Sequence, residues 1–179
     1  MRIDPIFTID WEPVFAYRPY STYWELQDPM VKEPTYYLLD LLDRHGIKAI
    51  WYCVGWLKDR ERALFKAIVK KGHVIGDHTY YHKLEDRIQN TLFRSPKFKG
   101  EKRLYSGGFW FRALPYQVSK ALLDQSRIFY IHPHDLLLDH PPTGSVTQDL
   151  KRSIGTSTVK DKLERLCREV KFTNADTIH

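Results

Sequence analysis

PTYYLLDLLDRHGIKAIWYCVG, residues 34–55, is the stretch that decides the fold. Pro34 suits the first turn of a helix, where a missing N–H costs nothing. Tyr37, Leu38, Leu41 and Leu42 recur at helical spacing and form one apolar stripe. Gly46 follows His45 and can end the helix in the left-handed conformation. From Lys48 to Val54 the chain becomes rich in strand-favouring residues, until Gly55 breaks the run. A helix that hands over so quickly to a strand is part of a βα repeat.

The same alternation extends in both directions. Upstream, Pro5 to Ile9 reads as a short buried strand ending at Asp10. Downstream, Arg60 to Lys71 reads as a helix with Leu64, Phe65, Ile68 and Val69 on one face and Gly72 at its end. His73 to Ile75 is a third short strand. An irregular middle follows, until Pro115 opens a helix carrying Val118, Leu122 and Leu123. Ile128 to Ile131 is a strand with His132 at its end. A last helix runs from Ser157, its N-cap, to Val170, with Val159, Leu163 and Leu166 inward. Strands alternating with helices imply an α/β fold with a parallel sheet.

The 179 residues, 42% hydrophobic and 28% charged, suit one domain spanning 1–179 with a real core. No run of about 18 apolar residues marks a transmembrane helix. Met1-Arg2-Ile3-Asp4-Pro5 lacks the apolar core of a secretory signal, so the cytoplasm is the expected location. Cys53 and Cys167 lie in apolar periodic segments and read as reduced core thiols. The net charge of +6 raises nucleic-acid binding. The cations are scattered, however, and near the C-terminus they alternate with Asp161, Glu164 and Glu169 as on a solvated helix face. No nucleic-acid partner is therefore expected; an acidic glycan or a lipid headgroup is equally compatible with the charge.

Polar clusters fall at or just after strand ends: Asp10 and Glu12, His78 and His82, Arg94, and His132. In parallel α/β folds the carboxyl ends of strands gather ligands and catalytic groups. The sharpest signal is Gly72-His73-Val74-Ile75-Gly76-Asp77-His78-Thr79-Tyr80-Tyr81-His82. If the chain turns helical after Gly76, His78 and His82 stand four residues apart on one face and can grip one cation. Two histidines at this spacing are by themselves more often surface or packing residues, so an acidic third ligand is required, and Asp10 and Glu12 are the candidates. Taken alone, Asp10-Trp11-Glu12 reads as a capped or solvated turn, with Trp11 in the core. Arg94 is either a surface arginine or a cation fixing a buried carboxylate. His132 either pairs with backbone or Asp135, or acts near a metal as a general acid. His134 and His140 offer an alternative metal patch; His45, His73 and His179 read as structural or exposed.

With these residues in place, the sequence resembles the polysaccharide deacetylases, the family-four carbohydrate esterases. Phe7-Thr8-Ile9-Asp10-Trp11-Glu12 is similar to the family's first motif, and Gly72 to His82 to its histidine motif. Phe93-Arg94-Ser95-Pro96 resembles the third motif and Tyr130-Ile131-His132-Pro133 the last. Ser106 to Tyr116, Tyr130 to Asp135 and Ile154 to Thr173 resemble a bacterial exopolysaccharide-associated subgroup. The resemblance implies a distorted (β/α) barrel that removes N-acetyl groups from amino sugars of a polysaccharide or glycan. It implies Zn²⁺ or a similar divalent ion held by Glu12, His78 and His82, and Asp10 as base. It also implies Arg94 holding Asp10, His132 as acid, and the backbone N–H of Lys97 near the oxyanion.

Between Pro96 and Ser106 the family's long segment, with the acid that tunes the catalytic histidine, is almost absent. A full βα barrel takes about 250 residues, so an incomplete barrel with an internal deletion is expected. Glu12 also stands where an aspartate is usual. A degenerate, metal-free glycan-binding or assembly protein and a metal-independent amidohydrolase are the competing readings.

Overall fold

The computed structural model describes residues 4–82 and 106–177. Four strands form one parallel sheet in the order β3-β2-β1-β4: β1 (Ile6–Trp11), β2 (Ile50–Cys53), β3 (Val74–Asp77) and β4 (Ile128–Ile131). The expected parallel α/β architecture is present. Among the described residues the sheet does not close into a barrel.

Period-two alternation divides the sheet into two faces. Phe7, Ile9 and Trp11 of β1, Trp51 and Cys53 of β2, and Phe129 and Ile131 of β4 point into the main core. Helices cover that face. They include α2 (Lys32–Arg44), which follows the short α1 (Thr22–Leu26), then α3 (Gly55–Arg60) and α4 (Arg62–Lys70). Beyond residue 105 come α5 (Gly108–Ala113), α6 (Tyr116–Asp124) and α8 (Val159–Glu169), while α7 (Val146–Ser153) buries none of its residues. Leu38, Leu41 and Leu42 of α2 and Leu163 and Leu166 of α8 are almost fully buried there. Phe7, Phe129 and Phe172 lock together edge to face, with centroids 4.8 and 5.3 Å from Phe7. Burial of this apolar set is the main stabilising term. Among the described residues the opposite face carries a small cluster of Ile6, Ile50, Tyr52 and Ala175 with Val74.

Several boundaries differ from the sequence reading. The helix expected over Arg60 to Lys71 is α4, Arg62–Lys70, and a separate unexpected helix, α3, precedes it from Gly55, just after β2. A 3₁₀ turn, Thr156–Thr158, precedes α8, so Ser157 is not its N-cap. Three further helices were not anticipated: the short α1, α5, within the irregular middle, and α7, which holds no buried residue to give it an apolar stripe. Trp11 is core, and its indole N–H donates to Thr35 Oγ1 at 2.9 Å. Cys53 and Cys167 are buried free thiols. No helix of the described residues is long and apolar enough to cross a membrane.

Candidate active site

The register of β1 builds one side of the site. Ile9 pairs with Ile131, which brings Asp10 level with His132 just past the end of β4. Asp10, Glu12, Tyr130 and His132 occupy alternate positions to the core residues, so their side chains share the opposite face. His132 Nε2 accordingly lies 3.7 Å from Asp10 Oδ2 and 3.9 Å from Glu12 Oε1.

The other side comes from the loop after β3. Asp10 pairs with Tyr52 and Tyr52 with Gly76, which puts Glu12 level with His78 two strands away. The chain from His78 to His82 is a loop and not the helix the spacing suggested; Thr79 and His82 both have positive φ, 60° and 57°. What holds the loop is α3. The N–H groups of Gly55 and Trp56, which have no partner inside the helix, donate to the carbonyls of Thr79 and Tyr80 at 3.0 Å each. A Cβ on Gly55 would come within 2.5 Å of the Tyr80 ring, so only glycine allows this approach. The loop thereby swings both imidazoles over the end of β2 toward Glu12.

Glu12 Oε2 is 3.2 Å from His78 Nε2 and 2.7 Å from His82 Nε2. The three side chains are 8%, 4% and 14% exposed, so water contributes little to their solvation. Burial acts to raise the Glu12 pKa, but the hydrogen bonds of His78 and His82 and the field of His132 outweigh it and hold the carboxylate well below its usual range. Ala16 O lies 2.9 Å from His82 Nδ1, so Nδ1 donates there and Nε2 is the nitrogen that faces Glu12. One ligand atom from each residue falls within 4.8 Å of the others. A carboxylate and two imidazoles, one oriented by a backbone carbonyl, are a donor set suited to a hydrolytic divalent ion. Glu12, the longer acid, is the residue that closes the two-strand gap; Asp10 faces His132.

The third element was only half foreseen. His132 Nδ1 lies 2.9 Å from Asp135 Oδ2, which also accepts the His132 backbone N–H at 2.9 Å. Asp135 Oδ1 accepts from Arg112 Nε at 2.8 Å, and both partners are nearly inaccessible. Burial works against both charges, yet the pair forms a chain, Arg112–Asp135–His132, in which each member fixes the next. Burial alone would depress the His132 pKa; the Asp135 bond and charge, with Glu12 and Asp10, raise it to about 10. Asp135 is held far below its ordinary value by His132 and Arg112 despite its burial. His134 stacks on His132 at 4.6 Å, and burial and that neighbour lower its pKa to about 3. His132, His134 and Asp135 form a second group of closely spaced ligand atoms.

Sequence reading named Asp135 as a possible partner of His132 but missed Arg112. Proline directly after the strand-end histidine, with an acid three residues on, is a capping pattern that signals the first. Arg112, in Phe109-Trp110-Phe111-Arg112, is an arginine amid aromatic residues, a signal for a buried cation that needs a buried acid. Arg94 and Lys97 lie outside the described residues, as does His179. His73 is structural as read: Ala49 N–H donates to its Nδ1, and burial lowers its pKa to about 4.

Residues 23–102 match the polysaccharide deacetylase family model. That segment contains the His78–His82 loop, whereas Asp10 and Glu12 precede it. Residues 94–179 match a domain of unknown function, DUF3473, and supply Arg112, His132 and Asp135. The site therefore joins the deacetylase match to the DUF3473 match through β1. Two peptidoglycan-N-acetylglucosamine deacetylases of Bacillus cereus are similar, at 33% identity over 67 residues and 32% over 73. Each alignment covers 37% of this chain, which spans 24% and 34% of those relatives. A solved peptidoglycan N-acetylglucosamine deacetylase in complex with 4-naphthalen-1-yl-N-oxidanyl-benzamide aligns over 97% of this chain and 86% of its own, at 14% identity and a TM-score of 0.45. That likeness is too loose to carry an argument.

Proposed function

We propose that this protein is a metal-dependent deacetylase that hydrolyses the N-acetyl amide of amino sugars in a polysaccharide or glycan. One observation carries the reading: a buried glutamate meets two imidazoles on the same sheet face where an aspartate meets a carboxylate-backed histidine. Support also comes from the family match over residues 23–102 and from the amino-sugar deacetylases it resembles.

Glu12, His78 and His82 would hold zinc or a similar divalent ion, which when bound supplies Lewis-acid polarisation of the acetamide carbonyl and of a water. Asp10, on the shared face, takes the proton of the attacking water. His132, whose pKa of about 10 keeps it protonated at neutral pH, gives its Nε2 proton to the amide nitrogen as the C–N bond breaks. Acetate and a free amine leave. Asp135 on Nδ1 keeps Nε2 facing Asp10 and Glu12, and Arg112 keeps Asp135 in place. In this reading Asp135, three residues after the histidine, serves as the acid that tunes it.

The test is acetate release from tetra-N-acetylchitotetraose by protein supplied with zinc or cobalt. Acetate and amine should appear in equal amounts, stop on chelation and return with metal. Metal-loaded protein that releases none would mark a binding relative, and release surviving exhaustive chelation would mark a metal-independent amidohydrolase.

A further inference from the structure

A cavity of about 330 Å³ opens beside His132, within the range of small-ligand sites. Tyr17, Phe109 and Tyr130 give it aromatic walls, and Arg112, Lys151 and Arg152 give it cations. The carboxylate among its described lining residues is Asp135, already committed to Arg112 and His132. Arg112 is largely committed as well. Besides Asp135, its guanidinium donates to the carbonyls of Lys151, Arg152 and Ile154, capping the C-terminal end of α7. Gly155 permits this: its φ is +73°, and a Cβ would sit 2.2 Å from Arg112 O. The cap sets Lys151 and Arg152 at the cavity.

Arg152 is only partly used. Nη2 donates to Val14 O at 2.7 Å and the guanidinium lies 4.4 Å over the Tyr17 ring. Its Nη1 is buried and, among the described residues, has no hydrogen-bond partner. A buried guanidinium nitrogen without an acceptor is costly, and an anionic oxygen is its natural partner. Asp149, the nearby carboxylate on α7, accepts from the Thr143 N–H at 2.8 Å. Tyr17 and Gln148 also line an adjoining cavity of about 610 Å³ with Tyr20 and Tyr23, which leaves room for a neighbouring sugar.

We propose that the cavity beside His132 is a subsite for a carboxylate-bearing sugar, a uronic acid residue next to the N-acetylated one, with Arg152 and Lys151 as its anion contacts. This rests on the deacetylase reading and narrows its substrate to an acidic polysaccharide. Aromatic walls suit the ring and the half-used guanidinium suits the carboxylate.

Isothermal titration at low ionic strength compares a tetrasaccharide of alternating glucuronic acid and N-acetylglucosamine with neutral tetra-N-acetylchitotetraose and with sodium acetate. The charged tetrasaccharide should bind at least about tenfold more tightly than the neutral one. Arg152→Gln should cut that advantage to within about twofold, while Lys66→Gln, an equal charge loss on exposed α4, should preserve it. Where Arg152→Gln fails to fold, Arg152→Lys, which keeps the charge but not the planar fork, should shrink it at least threefold. Equal binding of both tetrasaccharides, binding of neither, or an advantage untouched by Arg152→Gln overturns the proposal. Acetate binding as tightly as the charged tetrasaccharide would assign the cavity to a released acid and overturn it too. Because the titration reads binding and not turnover, charge preference without acetate release would sink deacetylation alone, and acetate release without charge preference would sink the subsite alone.

Discussion

The two ends of the site are built on opposite plans. At β4, Arg112, Asp135 and His132 form a closed series of charge-assisted hydrogen bonds in which the arginine also caps α7. At β3, His78 and His82 arrive on a loop with two left-handed residues and gather on one oxygen of Glu12. In the first arrangement Arg112 and Asp135 complete each other and only position His132, whose Nε2 is left facing Asp10 and Glu12. The second collects electron-pair donors around a buried carboxylate and is suited to a cation. The contrast separates a proton donor fixed by an internal ion chain from a ligand set that awaits a cation, and substitutions at the two ends should fail in different ways.

The largest effect is expected at Arg112. Arg112→Ala strands the buried Asp135 carboxylate and frees the end of α7, so denaturant unfolding should show a loss of about 3–5 kcal/mol. An Arg112→Met, Asp135→Leu double variant should recover much of it, because paired apolar residues leave no stranded charge. Recovery would confirm that the Arg112–Asp135 pair is structural.

Asp135→Asn keeps the shape but removes the charge behind His132. kcat for acetate release should fall about 10- to 100-fold with KM little changed, as for other groups that orient a reacting residue. The same substitution has a pH signature. The folded pKa of Asp135 is depressed, so its contribution to stability is present above the ordinary carboxylate value of about 3.9 and is lost as pH falls below it. Urea unfolding of the parent should weaken steadily below about pH 4, and Asp135→Asn should flatten that dependence.

A smaller effect is expected from Gly155→Ala. A side chain at φ +73° against the Arg112 carbonyl should cost about 1–2 kcal/mol in thermal or urea unfolding, with no loss of metal binding at the other end.

Legibility in the sequence followed the same division. Local periodicity and turn chemistry were enough to find β1, α2, β2, β3 and β4, because each is a short, strongly patterned segment. Glu12, His78 and His82 were readable because strand ends and spacing flag them, although their meeting depends on a loop held by Gly55 and Trp56, where a helix had been expected. Arg112 was hidden because its role depends on contacts with Asp135, 23 residues away, and with α7, some 40 away. Helix α7 escaped because its residues remain exposed and leave no apolar stripe to read.

Metal content, measured after equilibrium dialysis against zinc, tests the contrast most directly. One ion per chain is expected in the parent and in His134→Ala, and none in Glu12→Gln or His78→Ala, with all four folded by circular dichroism. An ion kept by His78→Ala but lost from His134→Ala would place the metal at the β4 end and contradict the division of the site drawn above.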